Sequence, residues 1–333
     1  MKSLAVVLLN YNGIELLKKF LPKVLEYSLE AEVVVIDNNS TDKSVAWLKQ
    51  NHPTIKCIEL ENNLGYAGGY NEGLKQVEAE VYCLLNTDVL VTPNWLPPLI
   101  EHFDTHPDTA ILQPHILDYK KPTHFEYAGA AGGYLDANGV PFCRGRLFTS
   151  LEEDQGQYDL PTEIFWASGA CFFIRSKQFW ELKGFDADFF AHQEEIDLCW
   201  RMHNYGFKTM SIGSSKVKHI GGATLAPSPQ KVFLNHRNSL CMLTKNLPRK
   251  VLYRRLFVRL CWDGFAGVYY FLRFNFLSTW AIIRAHVSFY KRFKSMMAKR
   301  TNKIQSAHYY HTNNILLTYF LHKKLNFRDL NEE

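Results

Sequence analysis

No two cysteines in this chain are spaced as a metal clamp or a redox couple. The seven, at 57, 83, 143, 171, 199, 241 and 261, stand singly and mostly inside apolar runs. The missing Cys-x-x-Cys excludes a zinc ribbon or a thioredoxin-like motif and leaves buried, reduced thiols in a cytosolic protein as the expectation. No stretch reaches the roughly 18 uncharged apolar residues of a membrane-spanning helix. Within residues 250–299 the longest uncharged runs, 264–272 and 274–283, have nine and ten residues. Leu4 to Leu9 is too short for a signal-peptide core, and Asn10-Tyr11-Asn12 follows where small residues would be needed. The dinucleotide fingerprint Gly-x-Gly-x-x-Gly is missing, and no internal repeat or low-complexity segment is present.

What is there suits a packed enzyme-sized chain. The 333 residues are 47% hydrophobic and 14% aromatic, enough for one large α/β domain with an appendage, or for two domains. The net charge of +5 hides a division: residues 231–333 hold 19 Lys+Arg against 4 Asp+Glu, while residues 1–230 carry a balance of −10. A basic section of that kind is expected to face an anionic partner.

The first hundred residues alternate strand and helix. Apolar runs at 4–9, 32–36, 55–60 and 81–85 read as strands buried on both faces. Helical patterns follow from Ile14 to about Tyr27, after Asp42 with Ser40 or Thr41 as cap, and to about Val77. This order predicts a parallel sheet with crossover helices. Three of the strands end in polar clusters, Asn10–Asn12, Asp37–Asn39 and Asn86–Asp88. In a parallel sheet these ends line one edge, where open α/β sheets bind ligands. Each cluster alone also reads as turn chemistry.

Residues 110–160 read as short strands and loops rather than a second core, and Ile164–Ile174 as a strand pair or bulged strand around Ser168-Gly169. A helix is predicted from Gln193-Glu194-Glu195, its acidic start matched to the positive end of the helix dipole. A strand is predicted at 207–212, then a turn carrying an exposed His219. From 231 onward, Arg and Lys interleave with Leu, Phe, Trp and Tyr, which predicts amphipathic helices.

Together these pieces resemble an inverting family 2 glycosyltransferase of the GT-A fold, close to its rhamnosyltransferase-like branch. The residues carrying the resemblance are Val7–Gly13, Val34–Asp42, Asn62–Gly73, Leu84–Asp88, Ala167–Ala170, Gly184–Asp186, Glu194–Arg201 and His219, covering roughly 3–245. The resemblance implies a Rossmann-like α/β fold with a mostly parallel central sheet and a C-terminal helical appendage. It implies a catalytic domain over 1–230, with a nucleotide-sugar half at about 1–105 and an acceptor half at 106–230. Residues 231–333 would form the basic, aromatic-rich helical region.

In the resemblance, Asp88 would be the ligand of Mg²⁺ or Mn²⁺ beside Asn86, with His219 as a further metal or diphosphate contact. Asn-Thr-Asp stands where the family has Asp-x-Asp, so the first carboxylate is missing. Asp37 would accept from the donor's base, flanked by Asn10 and Tyr11. Asn63, Gly65, Gly68 and Gly69 would lie near the ribose and phosphates, their lack of a Cβ allowing close approach. Glu195 would be the base, with Glu194 and Asp197 as alternatives, and Ser168 and Gly169 would wall the acceptor side. Arg237 reads either as a diphosphate contact or as a helix surface charge.

The implied partners are a nucleotide-diphosphate sugar and a glycan or lipid-linked acceptor. The basic tail is expected to lie peripherally on the inner face of the plasma membrane, against anionic lipid, and not on nucleic acid. Two other readings are a sugar nucleotidyltransferase, disfavoured by Asn10-Tyr-Asn-Gly13 in place of a Gly-rich, Arg-containing loop, and a non-catalytic sugar-nucleotide-binding subunit.

Overall fold

Apolar residues at every position, not every second one, let a strand feed two cores at once. In the computed structural model, which describes residues 3–221, 228–301 and 308–331, the first half alternates as expected. Its elements are β1 (Leu4–Asn10), α1 (Ile14–Tyr27), β2 (Glu32–Asp37), α2 (Ser44–Asn51), β3 (Lys56–Glu59), α3 (Gly65–Gly73) and β4 (Val81–Asn86). In β1, Ala5 and Val7 join one core while Leu4, Val6 and Leu8 join the other; Tyr82 and Leu84 of β4 divide from Val81, Cys83 and Leu85 in the same way. β1 pairs in parallel with β2 and β4, and β2 with β3.

The second half completes the sheet. β5 (Val89–Val91), α4 (Pro97–Thr105) and β6 (Thr109–Asp118) lead to a separate four-stranded sheet of β7 (Gly133–Leu135), β8 (Pro141–Cys143), β9 (Arg146–Leu147) and β10 (Ser150–Leu151). Then come β11 (Thr162–Ile164), β12 (Cys171–Arg175), α5 (Ser176–Glu181), α6 (Glu194–Asn204) and β13 (Lys208–His219). The large sheet runs β11-β13-β6-β12-β4-β1-β2-β3, with β5 pairing on β13. β6 and β13 are parallel to each other, and β12 lies antiparallel between β4 and β6.

Several expectations are corrected. Residues 110–160 are not only short strands: the ten residues of β6 belong to the central sheet. β11 and β12 are not a hairpin; one sits on β13 at the sheet edge and the other in its middle. Ser40 and Thr41 do not cap α2. Asn12 Oδ1 accepts from the Thr41 amide, Ser40 Oγ accepts from the Asn12 amide, and Asp42 Oδ1 accepts from Ser44 N instead. β13 does not stop at 212: it absorbs Gly213–Ser215 as an irregularity in its pairing with β6 and resumes, so His219 is buried on a strand rather than exposed in a turn.

The C-terminal section is helical: α7 (Pro229–Asn246), α8 (Arg249–Leu272), α9 (Phe276–Ala298) and α10 (Ile315–Phe320). α7 packs on α6 of the α/β body and on α9. The cysteines are all free, five of them buried.

Candidate active site

Register brings the polar strand ends together. Asn10 lies opposite Asp37, and Leu9 opposite Asn86. Asn10 Nδ2 donates to Asp37 Oδ2 at 2.9 Å and the Ser40 amide donates to Asp37 Oδ1 at 2.8 Å. Asp37 is thus buried in an Asx-turn that leaves a lone pair on each oxygen. Asn10 Oδ1 is buried without a partner. Tyr11 stands exposed at the same edge.

Asn38, not singled out in the sequence, staples the glycine loop. Its amide donates to Asn63 Oδ1 and Gly65 O, both at 3.0 Å, and its Oδ1 accepts from Leu64 N. The glycines are explained by packing inside the protein. A Cβ on Gly65 (φ +70°) would lie 2.4 Å from Phe190 O, one on Gly68 2.8 Å from Leu64 Cβ, and one on Gly69 2.9 Å from Leu9 Cδ1. Within the protein, the close approach they allow is to Leu9, Leu64 and Phe190.

Asp88 follows β4 and is fully buried. Pairing of β5 with β13 sets Val89 opposite His219, and His219 Nε2 lies 3.1 Å from Asp88 Oδ1. On the ring's other side, Nδ1 is 3.4 Å from Glu126 Oε1. Burial opposes the imidazolium, but Asp88 and Glu126 together raise the His219 pKa to about 10. Glu126 is buried in the loop after β6, its Oε2 accepting from Ala128 N. Sequence reading missed it, since only the long-range register of β6 with β13 brings it to His219.

A divalent cation would find its ligands on one side of the ring only: Asp88 Oδ1 and His219 Nε2 lie 3.1 Å apart and offer an oxygen and, once the ring gives up its proton, a nitrogen, while Glu126 on the far side orients the imidazole. A second cluster, His115 with Asp154 and Asp159, already holds the Lys216 ammonium, 2.6 Å from Asp154 and 3.3 Å from Asp159.

The two glutamates open α6 after a strained approach. Phe190, His192 and Gln193 all have positive φ, at 66°, 71° and 74°, conformations costly for residues with a Cβ and concentrated at functional sites. What holds it is α7. The Asn238 amide reaches the carbonyls of Phe189, Ala191 and His192 at 2.7–2.9 Å. Arg237 donates to those of Asp188 and Phe189. Arg237 is therefore not a helix surface charge: it is buried, and its Nη2 is engaged by the loop.

Glu194 is buried and Glu195 half-buried, and one oxygen of each is buried with no hydrogen-bond partner. Burial raises both carboxyls, Glu195 to about 7 and Glu194 further, since the neighbouring Glu195 adds its charge. The Tyr66 hydroxyl lies close by: burial, then Tyr70, Glu194 and Glu195 raise its pKa, and it donates to Gly169 O at 2.8 Å. One residue on, Ala170 O accepts from Asn86 N. The Ser168–Ala170 turn thus spans from the glutamates to the strand end that carries Asp88. Ser168 itself is buried, its hydroxyl donating to Ala128 O and its amide to Gln113, so it shapes that wall from behind.

Asp197 leaves the list of bases. It is fully buried, and its oxygens take Arg201 Nε at 2.9 Å, Lys245 Nζ at 2.8 Å and Asn246 Nδ2 at 2.8 Å. A carboxylate so occupied ties α6 to α7. Asp197→Ala strands Lys245 and Arg201 and is expected to cost about 3–5 kcal/mol of stability, measured by equilibrium urea denaturation.

Residues 5–183 match the family described as "Glycosyl transferase family 2". An N-acetylglucosaminyl-diphospho-decaprenol L-rhamnosyltransferase of Mycobacterium tuberculosis is 24% identical over 251 residues, 71% of this chain and 82% of the relative. A low-salt glycan biosynthesis hexosyltransferase of Haloferax volcanii is 26% identical over 250 residues, 71% of this chain and 74% of the relative.

Among solved structures, GalNAc-T7 with UDP, GalNAc and Mn²⁺ superposes with a TM-score of 0.57 at 17% identity, over 75% of this chain and 49% of that one. This chain thus spans about half of that structure. A mannosyltransferase of Pyrobaculum calidifontis with GDP-Man and Mn²⁺ superposes with a TM-score of 0.54 at 12% identity, over 87% of each chain. The expected fold is borne out by these likenesses: a GT-A α/β sheet with a helical C-terminal part.

Proposed function

Because the chain belongs to glycosyl transferase family 2, we propose that it moves a hexose or deoxyhexose, with rhamnose the leading candidate, from a nucleotide-diphosphate sugar to a glycan or lipid-linked acceptor of cell-surface polysaccharide, with inversion. The observation that carries the reading is the pair of buried, incompletely partnered glutamates joined by one turn to the strand end bearing Asp88. A site with a proton acceptor on one side and a cation-binding carboxylate on the other can separate the charges that glycosyl transfer creates.

The donor's base and ribose lie over Tyr11, Asn10, Asp37 and the Asn63 loop, and its diphosphate toward Asn86 and Asp88. Mg²⁺ or Mn²⁺, held by Asp88 and His219, would neutralise the diphosphate. The acceptor enters along Gly169 and Tyr66. Its hydroxyl oxygen forms a bond to the anomeric carbon as the bond from that carbon to the phosphate oxygen breaks. The hydroxyl proton passes to Glu195, and the nucleoside diphosphate departs on the opposite face.

Support for rhamnose is the Mycobacterium relative; support for a divalent ion is the Mn²⁺ in both superposed structures. The reading places the protein at the inner face of the plasma membrane, where the basic 231–333 section meets anionic lipid.

Turnover of UDP-, dTDP- and GDP-sugars with a lipid-linked acceptor, followed by NMR of the new anomeric centre, tests it. Transfer with inverted configuration is expected. Binding of a donor without any transfer or hydrolysis would favour a non-catalytic subunit instead.

Glu126 orients this site from the far side of the ring, holding His219 Nδ1 so that Nε2 faces Asp88. Glu126→Gln is expected to weaken Mn²⁺ binding about 10–100-fold, read by titration of the Mn²⁺ EPR signal.

A further inference from the structure

Asp263 is the last buried position of α8. Its carboxylate lies 2.9 Å from Arg259 Nε, 2.9 Å from His236 Nδ1 and 3.2 Å from His286 Nε2. Burial opposes its charge, yet these partners hold its carboxyl well below the usual range. The cluster pins α8 to α7 and α9 at one level.

Beyond that level the hairpin leaves the body. No residue from Gly264 to Leu277 is buried. Phe265, Leu272, Phe274 and Leu277 are 67%, 71%, 81% and 69% exposed. A Cβ on Gly264 or Gly267 would meet nothing within 4 Å. Trp280 and Ile283 extend this bare surface along α9, and from 264 to 283 Arg273 is the sole charge. Its guanidinium covers the Tyr269 ring, 4.8 Å from the centroid.

Exposed apolar surface on this scale marks a site of interaction. Its shape says of what kind. Among the described residues, this stretch is covered along the seam between the two helices, where Gly267 O accepts from Thr279; a protein partner masks one face, whereas lipid surrounds a projection. The charge agrees. Between Arg249 and Ala298 the chain has ten Lys and Arg and one acid, Asp263, which is already paired. Arg284 is exposed about 12 Å behind the start of α9, near the level of phosphate headgroups, and Arg254, Lys291 and Lys294 are exposed roughly 10–15 Å further back. No helix among the described residues is long and apolar enough to cross a membrane.

We propose that the α8–α9 hairpin enters one leaflet of an anionic bilayer tip first, with Phe265, Leu272, Phe274 and Leu277 at the acyl boundary, Arg284 near the phosphates, and Lys291 and Lys294 behind it facing the anionic surface. This rests on the membrane location in the proposed function, but gives it a defined anchor instead of a helix lying flat. The insertion is shallow, roughly 5–10 Å, as for other interfacial helices. Arg273 then turns its head back to the interface along its own stem.

The test is flotation of the full chain with phosphatidylcholine vesicles, with and without phosphatidylglycerol, alongside sedimentation velocity and the thermal shift by nucleotide-sugar donors. Wild type is expected to float at least tenfold better with phosphatidylglycerol present. Leu272→Asp with Phe274→Asp abolishes flotation while the donor shift persists. Arg284→Gln with Lys291→Gln and Lys294→Gln removes the preference for the anionic lipid. Flotation unchanged by the tip substitutions overturns the proposal. So does a wild type that ignores vesicles but forms a dimer lost in the tip variant. Loss of the donor shift in wild type with flotation intact would instead count against the proposed function and leave the anchor standing.

Discussion

Glu195→Gln lowers the rate of transfer about 10²–10⁴-fold, the usual worth of a positioned base, while the protein stays folded. Glutamine keeps the shape of the side chain and cannot take the acceptor's proton. The same environment fixes the pH profile of the wild type. Burial lifts Glu195 to about 7 from an ordinary 4.5. The ionised base therefore accumulates only as pH rises through about 7, and kcat/KM climbs to a plateau above it, without the same limb in the variant.

Stability runs the other way. The folded state holds its carboxyl protons more tightly than the unfolded chain between about 4.5 and 7, so this site loses stability as pH rises through that window. Glu195→Gln removes part of that slope. A lower activity with equal or higher Tm at about pH 8 identifies a group kept for chemistry at the expense of stability; lower activity with a collapsed Tm would mark it as structural.

Asp88→Asn removes a charge with little change of shape, and transfer is expected to fall about 10²–10³-fold, some 3–4 kcal/mol of lost stabilisation of the leaving diphosphate. The effect is large because the strand end is Asn86-Thr87-Asp88: no second carboxylate in the motif can substitute. His219 retains Glu126 in the variant, so the strand pairing of β5 on β13 is expected to hold. Steady-state rates over a Mn²⁺ series separate the two contributions. A fall that excess metal partly restores points to weakened binding, and one that it does not restore points to charge needed in the transition state. Undiminished transfer in both Asp88→Asn and Glu195→Gln would sink the site assignment.

The parts of this site that rest on local pattern are legible in the sequence. β1, β2 and β4 are continuous apolar runs, and the polar residues that end them fall on one edge by register alone. The acidic start of α6 is equally visible. Contacts made by distant segments are not. Glu126 follows β6, and nothing in its neighbourhood announces that β13 will bring His219 beside it. The pairing irregularity between Ile212 and Lys216 hides the second half of β13, since Gly213-Ser-Ser reads as a turn and so puts His219 in solvent.

Asn238 and Arg237 sit in a helix with no periodic signal of their task, which is to hold carbonyls of a loop some 46–49 residues earlier. Asp197 is a different kind of miss. Arg201 stands four residues on, the spacing of a helical ion pair, and that cue argues for structure over catalysis even without Lys245.

The most direct test of the account is the melting temperature with UDP, dTDP and GDP, each with and without Mn²⁺, in wild type and Asp88→Asn. A ligand that binds only the native state raises Tm by mass action. The account predicts that one nucleotide raises the wild-type Tm, that Mn²⁺ enlarges the shift, and that Asp88→Asn loses the Mn²⁺-dependent part. A Mn²⁺-dependent shift of equal size in the variant, or no shift with any of the three nucleotides, would contradict it.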